Sequence, residues 1–168
     1  MANSCFYNAV AVAPKKETLE RLIKIMNYED EEYFIYRCFN AIKDEITFDE
    51  KSNLYYVGIN GEVAWSCERW FETVEDKKDL MKNGTAHYIT LDLLCQKLDF
   101  GLEIFAEECG CEFQEHHTVD HNGEHYGESV EWHEEWCDKD GNELDEPIST
   151  GGFDYYLQFN TYEEIYGE

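Results

Sequence analysis

Five of the chain's six histidines fall inside one stretch, residues 111–136, together with two tryptophans and many carboxylates. Imidazoles, thiols and carboxylates at such spacing can hold a metal ion, move protons, or present charge to a basic partner. His117, His121 and His125 recur every fourth residue, which would align them on a helix. Asn122-Gly123 breaks that helix and instead signals a two-residue hairpin turn. Such a turn sets His121 opposite Glu124, Asp120 opposite His125 and His117 opposite Glu128, pairs worth about 0.2–1 kcal/mol each. It does not gather three histidines at one point. A second metal candidate is a zinc set of Cys109, Cys111, His116 and Cys137, although paired cysteine knuckles of the zinc-ribbon or finger kind are missing. The segment 138–146 has calcium-loop composition, but its glycine stands at the wrong place for the turn of such a loop.

Hydrolytic and phosphoryl-transfer motifs are not found: there is no glycine-rich phosphate loop, no Gly-x-Ser-x-Gly elbow and no His-Glu-x-x-His. A thiol centre in which Cys67 or Cys109 meets a histidine stays open as an alternative, against a field that disfavours thiolate. The remaining reading is recognition. Glu124, Glu128, Glu131, Glu134, Glu135, Asp138, Asp140 and Glu143, with Trp132 and Trp136, come from one short region. Period-two alternation puts Glu128, Trp132, Glu134 and Trp136 on one strand face and Glu131, His133 and Glu135 on the other. Carboxylates steer a basic partner and tryptophan anchors it. An acid at every second strand residue gives one charge per roughly 6.6 Å, against one per about 1.7 Å of duplex DNA.

Charge sets the frame. The 168 residues carry 38 acids and 13 bases, a formal net charge of −25, and are 43% hydrophobic and 15% aromatic. Residues 98–168 hold 21 of the acids and one base, Lys139. That excess repels nucleic acid and anionic membranes and attracts basic protein surfaces. Length and hydrophobic content fit one domain with a real core and exclude a disordered acidic tail. An odd cysteine count of seven, with no apolar leader or membrane-length run, leads to the expectation of a cytosolic protein with reduced thiols. Cys5, Cys38 and Cys95 read as core residues.

The elements that must position these residues read as α+β, an antiparallel sheet with two or three helices on one face. Residues 4–12 form a strand and 15–26 an amphipathic helix. Residues 33–38 are assigned to a strand. Asn60-Gly61 predicts a hairpin of 53–60 with 62–67. A short helix opens the segment 68–84, which closes at Asn83-Gly84. Thr90 caps a helix over 91–99, and 100–108 is a strand. Residues 112–121 and 124–136 form the acidic hairpin, a turn follows at 138–141, and 151–160 is a last strand.

The start MANSCFYNAVAVAPKKETLERL, the segment AWSCERWF (64–71) and FGLEIFAEECGCEF (100–113) together resemble a family of phage and plasmid proteins, the YubB-type group. The resemblance spans about residues 1–26 and 60–113. It implies a ferredoxin-like domain and a mobile-element origin, and it transfers no active site. The expected organisation is a single domain, 1–168, with a ferredoxin-like core over 1–113 and 151–160 and an acidic insertion over 112–146. The expected function is that of a phage-encoded, non-enzymatic inhibitor of the anti-CRISPR or antirestriction kind. It would need no cofactor and act in the host cytoplasm. Its partner would be a basic nucleic-acid-binding host protein, such as a CRISPR effector or restriction enzyme, whose groove the acids occupy, with no direct contact to nucleic acid or membrane. The alternatives are a zinc-binding or thiol enzyme centred on 109–137 and a self-assembling scaffold; exposed strand edges leave a homodimer open.

Overall fold

The computed structural model describes residues 4–73, 86–108, 113–153 and 159–168, apart from the side chains of Glu134, Ser149 and Thr150. The fold is α+β, a mostly antiparallel sheet with three short helices. β1 (Ser4–Ala13) is its central strand and pairs antiparallel with β5 (Leu54–Ala64) on one side and β7 (Gly101–Glu108) on the other. β3 (Cys38–Lys43) and β4 (Thr47–Asp49) extend the β5 side. β8 (Phe113–Val119), β9 (His125–Cys137) and β10 (Glu143–Gly151) extend the β7 side, giving the order β10-β9-β8-β7-β1-β5-β3. β2 (Tyr33–Phe34) and β6 (His87–Tyr88) form a separate parallel pair. No helix among the described residues is long and apolar enough to cross a membrane.

Alternation along β1 builds both layers. Cys5, Tyr7, Ala9, Ala11 and Ala13 face the main core, where α1 (Lys16–Met26) and α2 (Leu91–Leu98) bring Leu19, Leu22, Ile25, Met26, Leu91 and Leu94. Val12 faces the other way and packs with Leu54 and Ile165 of α3 (Tyr162–Tyr166). Two helices, α1 and α2, thus share one face as expected, and α3, which was not expected, covers the opposite one. Gly101 makes room for it, since a Cβ there would lie 2.1 Å from the Ile165 carbonyl oxygen.

The predicted hairpin at Asn60-Gly61 does not form. β5 runs straight through both residues, pairing Asn60 with Asn8 and Gly61 with Tyr7. The glycine serves packing: a Cβ on Gly61 would lie 2.4 Å from the Tyr7 hydroxyl, whose ring packs edge-on against Trp70 at 5.0 Å. The strand assigned to 33–38 divides between β2 and the start of β3. Thr90 occupies the N-cap position of α2, but its hydroxyl is buried and makes no capping bond. The short helix expected to open the segment 68–84 is a 3₁₀ turn, Cys67–Trp70, capped by Ser66. The Asn83-Gly84 turn and half of the strand assigned to 151–160 lie outside the described residues, and the described Gly151 closes β10. Cys5, Cys38 and Cys95 are buried free thiols, as their surroundings in the sequence predict.

Candidate functional site

β8 and β9 pair around Asn122-Gly123, but one residue out of the predicted register. His116 lies opposite Glu128, His117 opposite Gly127 and Val119 opposite His125. The cause is Asp120. Its carboxylate accepts from the Asn122 and Glu124 backbone N–H groups at 2.9 and 2.8 Å, and its carbonyl accepts from Gly123 N–H at 3.0 Å. With Gly123 at φ +82° this is a turn followed by a left-handed residue, the longer of the common hairpin loops. Because side chains alternate, the one-residue shift gives each residue of β9 a different neighbour on β8.

The acidic set divides accordingly. Glu124, Glu131, Glu135, Asp140 and Glu143 are exposed on β9, β10 and their turns, joined by Asp145 and Glu146. Trp136 is 53% exposed, and Ile148 opens to solvent on β10. Glu128 turns inward to His116, and Trp132 is buried. Asp138 closes the β9–β10 turn by accepting from Asp140 N–H and from Asn142 N–H and Nδ2, contacts that hold its carboxyl below the usual range. The backbone of Glu134 pairs with Ser149.

Of the zinc candidates, Cys109 and Cys111 lie outside the described residues, Cys137 is exposed, and His116 is engaged elsewhere. Among the described residues no group of three or more histidines, cysteines and carboxylates converges on a metal position.

Sequence reasoning missed what the structure builds on the two faces of β8. On the α3 face, His116 Nε2 lies 2.8 Å from Glu103 Oε1 and Nδ1 lies 3.3 Å from Glu128 Oε1. Phe105 stacks on the imidazole at 4.4 Å. Asn160 donates to Glu103 through its backbone N–H at 2.7 Å and its Nδ2 at 2.9 Å. Burial pushes the His116 pKa down, but the hydrogen bonds to Glu103 and Glu128 outweigh it and hold the imidazole above its ordinary value. With a carboxylate at each ring nitrogen, both nitrogens donate, which is the imidazolium form.

On the opposite face, His117 Nδ1 meets His125 Nε2 at 3.1 Å, and Phe71 lies flat over His125 at 3.5 Å. Glu115 accepts from the Ser66 hydroxyl and from Cys67 N–H at 2.8 Å. His117 Nε2 stands 3.7 Å from Glu115 Oε1, too far for a hydrogen bond and close enough to interact with its charge. Burial raises the Glu115 pKa, yet His117 and Ser66 bring it below the usual carboxylate value. Burial and the neighbouring His117 depress the His125 pKa to about 4, which leaves His125 neutral where His116 is charged. Gly127 permits the arrangement, since a Cβ there would lie 2.5 Å from His117 Nδ1. Cys67, the thiol candidate, is fully buried, and burial, Cys5 and Glu115 push its pKa well up. A thiol held protonated is a poor nucleophile.

The histidines thus act as clamps between strands. His121 extends the pattern, with Nε2 3.0 Å from the Glu168 carbonyl oxygen and its ring stacked on Tyr166 at 4.3 Å. Outside these contacts, the solvent-facing carboxylates of the region lie on β9, β10 and their turns. Compared with protein-family models, curated proteins and solved structures, the chain has no match.

Proposed function

We propose that the protein is a non-enzymatic inhibitor that presents the carboxylates of β9 and β10 to the nucleic-acid groove of a basic host protein, in the manner of anti-CRISPR and antirestriction proteins. One observation carries the reading. Residues 98–168 concentrate 21 acids against a single base, and the clamps on β8 leave Glu131, Glu135, Asp140, Glu143, Asp145 and Glu146 facing solvent beside the exposed Trp136. Self-repulsion of that size opposes folding, and a complementary basic surface relieves it. Trp136 supplies apolar contact at the edge of the acidic surface.

The rest of the fold serves as a platform. The order β7-β1-β5-β3, antiparallel throughout, with α1 following β1 and α2 preceding β7, supports a ferredoxin-like unit over residues 4–108. β8, β9 and β10 continue the same sheet, and β9 and β10 with their turns supply the acidic surface. That arrangement, with the sequence resemblance to YubB-type proteins, favours a mobile-element origin and action in the host cytoplasm.

The test is affinity capture from a bacterial lysate, washed at low and at high salt. The reading expects a basic nucleic-acid-handling protein that is retained at low salt, released at high salt and displaced by DNA or guide RNA. Capture of no basic protein at either salt would remove it.

A further inference from the structure

The two ends of the sheet differ on the α3 face. α3 and Asn160 cover β7 and the C-terminal half of β1, while β3 and the N-terminal ends of β1 and the adjoining part of β5 stay open. There Phe6 is 55% exposed and Ile42 70% exposed, beside an open cleft of about 270 Å³. Asn8, Asn40 and Asn60 line it with Gly61. Asn8 lies directly opposite Asn60, which in turn lies opposite Ile42, so apolar and amide groups share one surface. Among the described residues, the three side-chain amides have no hydrogen-bond partner. Asn40 takes φ 51°, a left-handed conformation that asparagine adopts readily, within the irregularity that separates Phe39 from Ile42.

We propose that this cleft binds a flat, uncharged ligand with an amide-type hydrogen-bonding edge: the nucleobase of a nucleoside. Three amides offer donors and acceptors together and carry no charge, which matches the mixed edge of a base. Phe6 supplies a stacking surface that any base can use. Glu62 at the rim accepts from an exocyclic amino group. The rim carboxylate Glu62, on a chain of net charge −25, disfavours a phosphate, so the nucleoside is preferred to the nucleotide. The same charge argues against a second copy of the chain as the occupant. This site lies at the β3 end of the sheet, away from the acidic strands, and stands independently of their proposed role.

The experiment is a nitrogen-15 NMR titration of the full chain with adenosine, guanosine, cytidine and uridine up to millimolar concentration. AMP and a short uncharged peptide serve as comparisons. Saturable shifts in the side-chain amides of Asn8, Asn40 and Asn60 are expected, strongest for one base, with adenosine binding more tightly than AMP. Phe6→Ala is expected to weaken binding about five-fold or more, and Asn60→Ala to change the order of preference among bases. Both positions are open to solvent, so dispersed spectra of the free variants will establish that each is folded. Three results would overturn the proposal: no saturable shift with any nucleoside, unchanged binding in both variants, or tighter binding of AMP or the peptide than of every nucleoside.

Discussion

β8 carries histidines at adjacent positions, and its two faces use them in opposite ways. His116 is a buried cation between two carboxylates, with Asn160 fixing one of them. On the other face His117 contacts His125, which lies under Phe71 and is held neutral. His116 and His125, on opposite faces of the same strand pair, are pushed in opposite directions by what the neighbouring elements place beside them. The difference teaches that burial alone does not set charge in this protein. Desolvation lowers the pKa of His116 and His125 alike, and only His116, with a carboxylate at each ring nitrogen, overcomes that cost.

The largest effect is expected at Glu103, which is 1% exposed. Glu103→Ala leaves a buried imidazolium and the Asn160 N–H groups without their acceptor, and is expected to cost about 3–5 kcal/mol in chemical denaturation. A loss below about 1 kcal/mol would mean that His116 is not held as a cation. On the other face, Gly127→Ala drives a methyl group into the His117–His125 contact. It is expected to cost about 1–3 kcal/mol by overpacking and to move the His125 resonances more than those of His116.

The two faces also predict a pH profile with two limbs. His116, with its pKa raised in the fold, contributes stability that is complete below the ordinary histidine value of 6.5 and lost as pH rises through the folded value. His125, depressed to about 4, acts in reverse: its contribution is complete above 6.5 and lost as pH falls from 6.5 toward 4. Stability should therefore fall on both sides of about pH 6.5. His116→Gln should remove the alkaline limb and His125→Gln the acid limb, as read by melting temperature across pH. A profile that keeps both limbs in both variants would sever the link to these residues.

The smallest effect on folding is expected at the exposed acids. Reversing Glu131, Glu135, Asp140 and Glu143 to lysine should change stability by no more than about 0.5 kcal/mol per site.

Much of this architecture was legible because its signals are local. Helical spacing in ETLERLIKIM gives α1, and the alternating run from Ser4 gives β1. The dipeptide Asn-Gly shows where such signals end. At 122–123 it forms a turn with Gly123 at positive φ; at 60–61 it lies mid-strand because the Tyr7 ring needs the space above Gly61. Only the tertiary partner separates the two. β10 was hidden by Pro147 and its run of acids, which a sheet tolerates at an edge strand with an irregular register. α3 had a readable signal, since Thr161 and Glu164 form a capping box, and its brevity masked it. The histidine clamps were beyond reach, because Glu103 and Asn160 are distant in sequence from His116 and the Asp120 turn sets the register.

The most direct test of the central claim pairs binding with folding in one variant, the quadruple reversal of Glu131, Glu135, Asp140 and Glu143 to lysine. The proposed function predicts a melting temperature close to that of the parent protein and loss of the basic partner in low-salt capture. A folded variant that captures the same partner undiminished would contradict it.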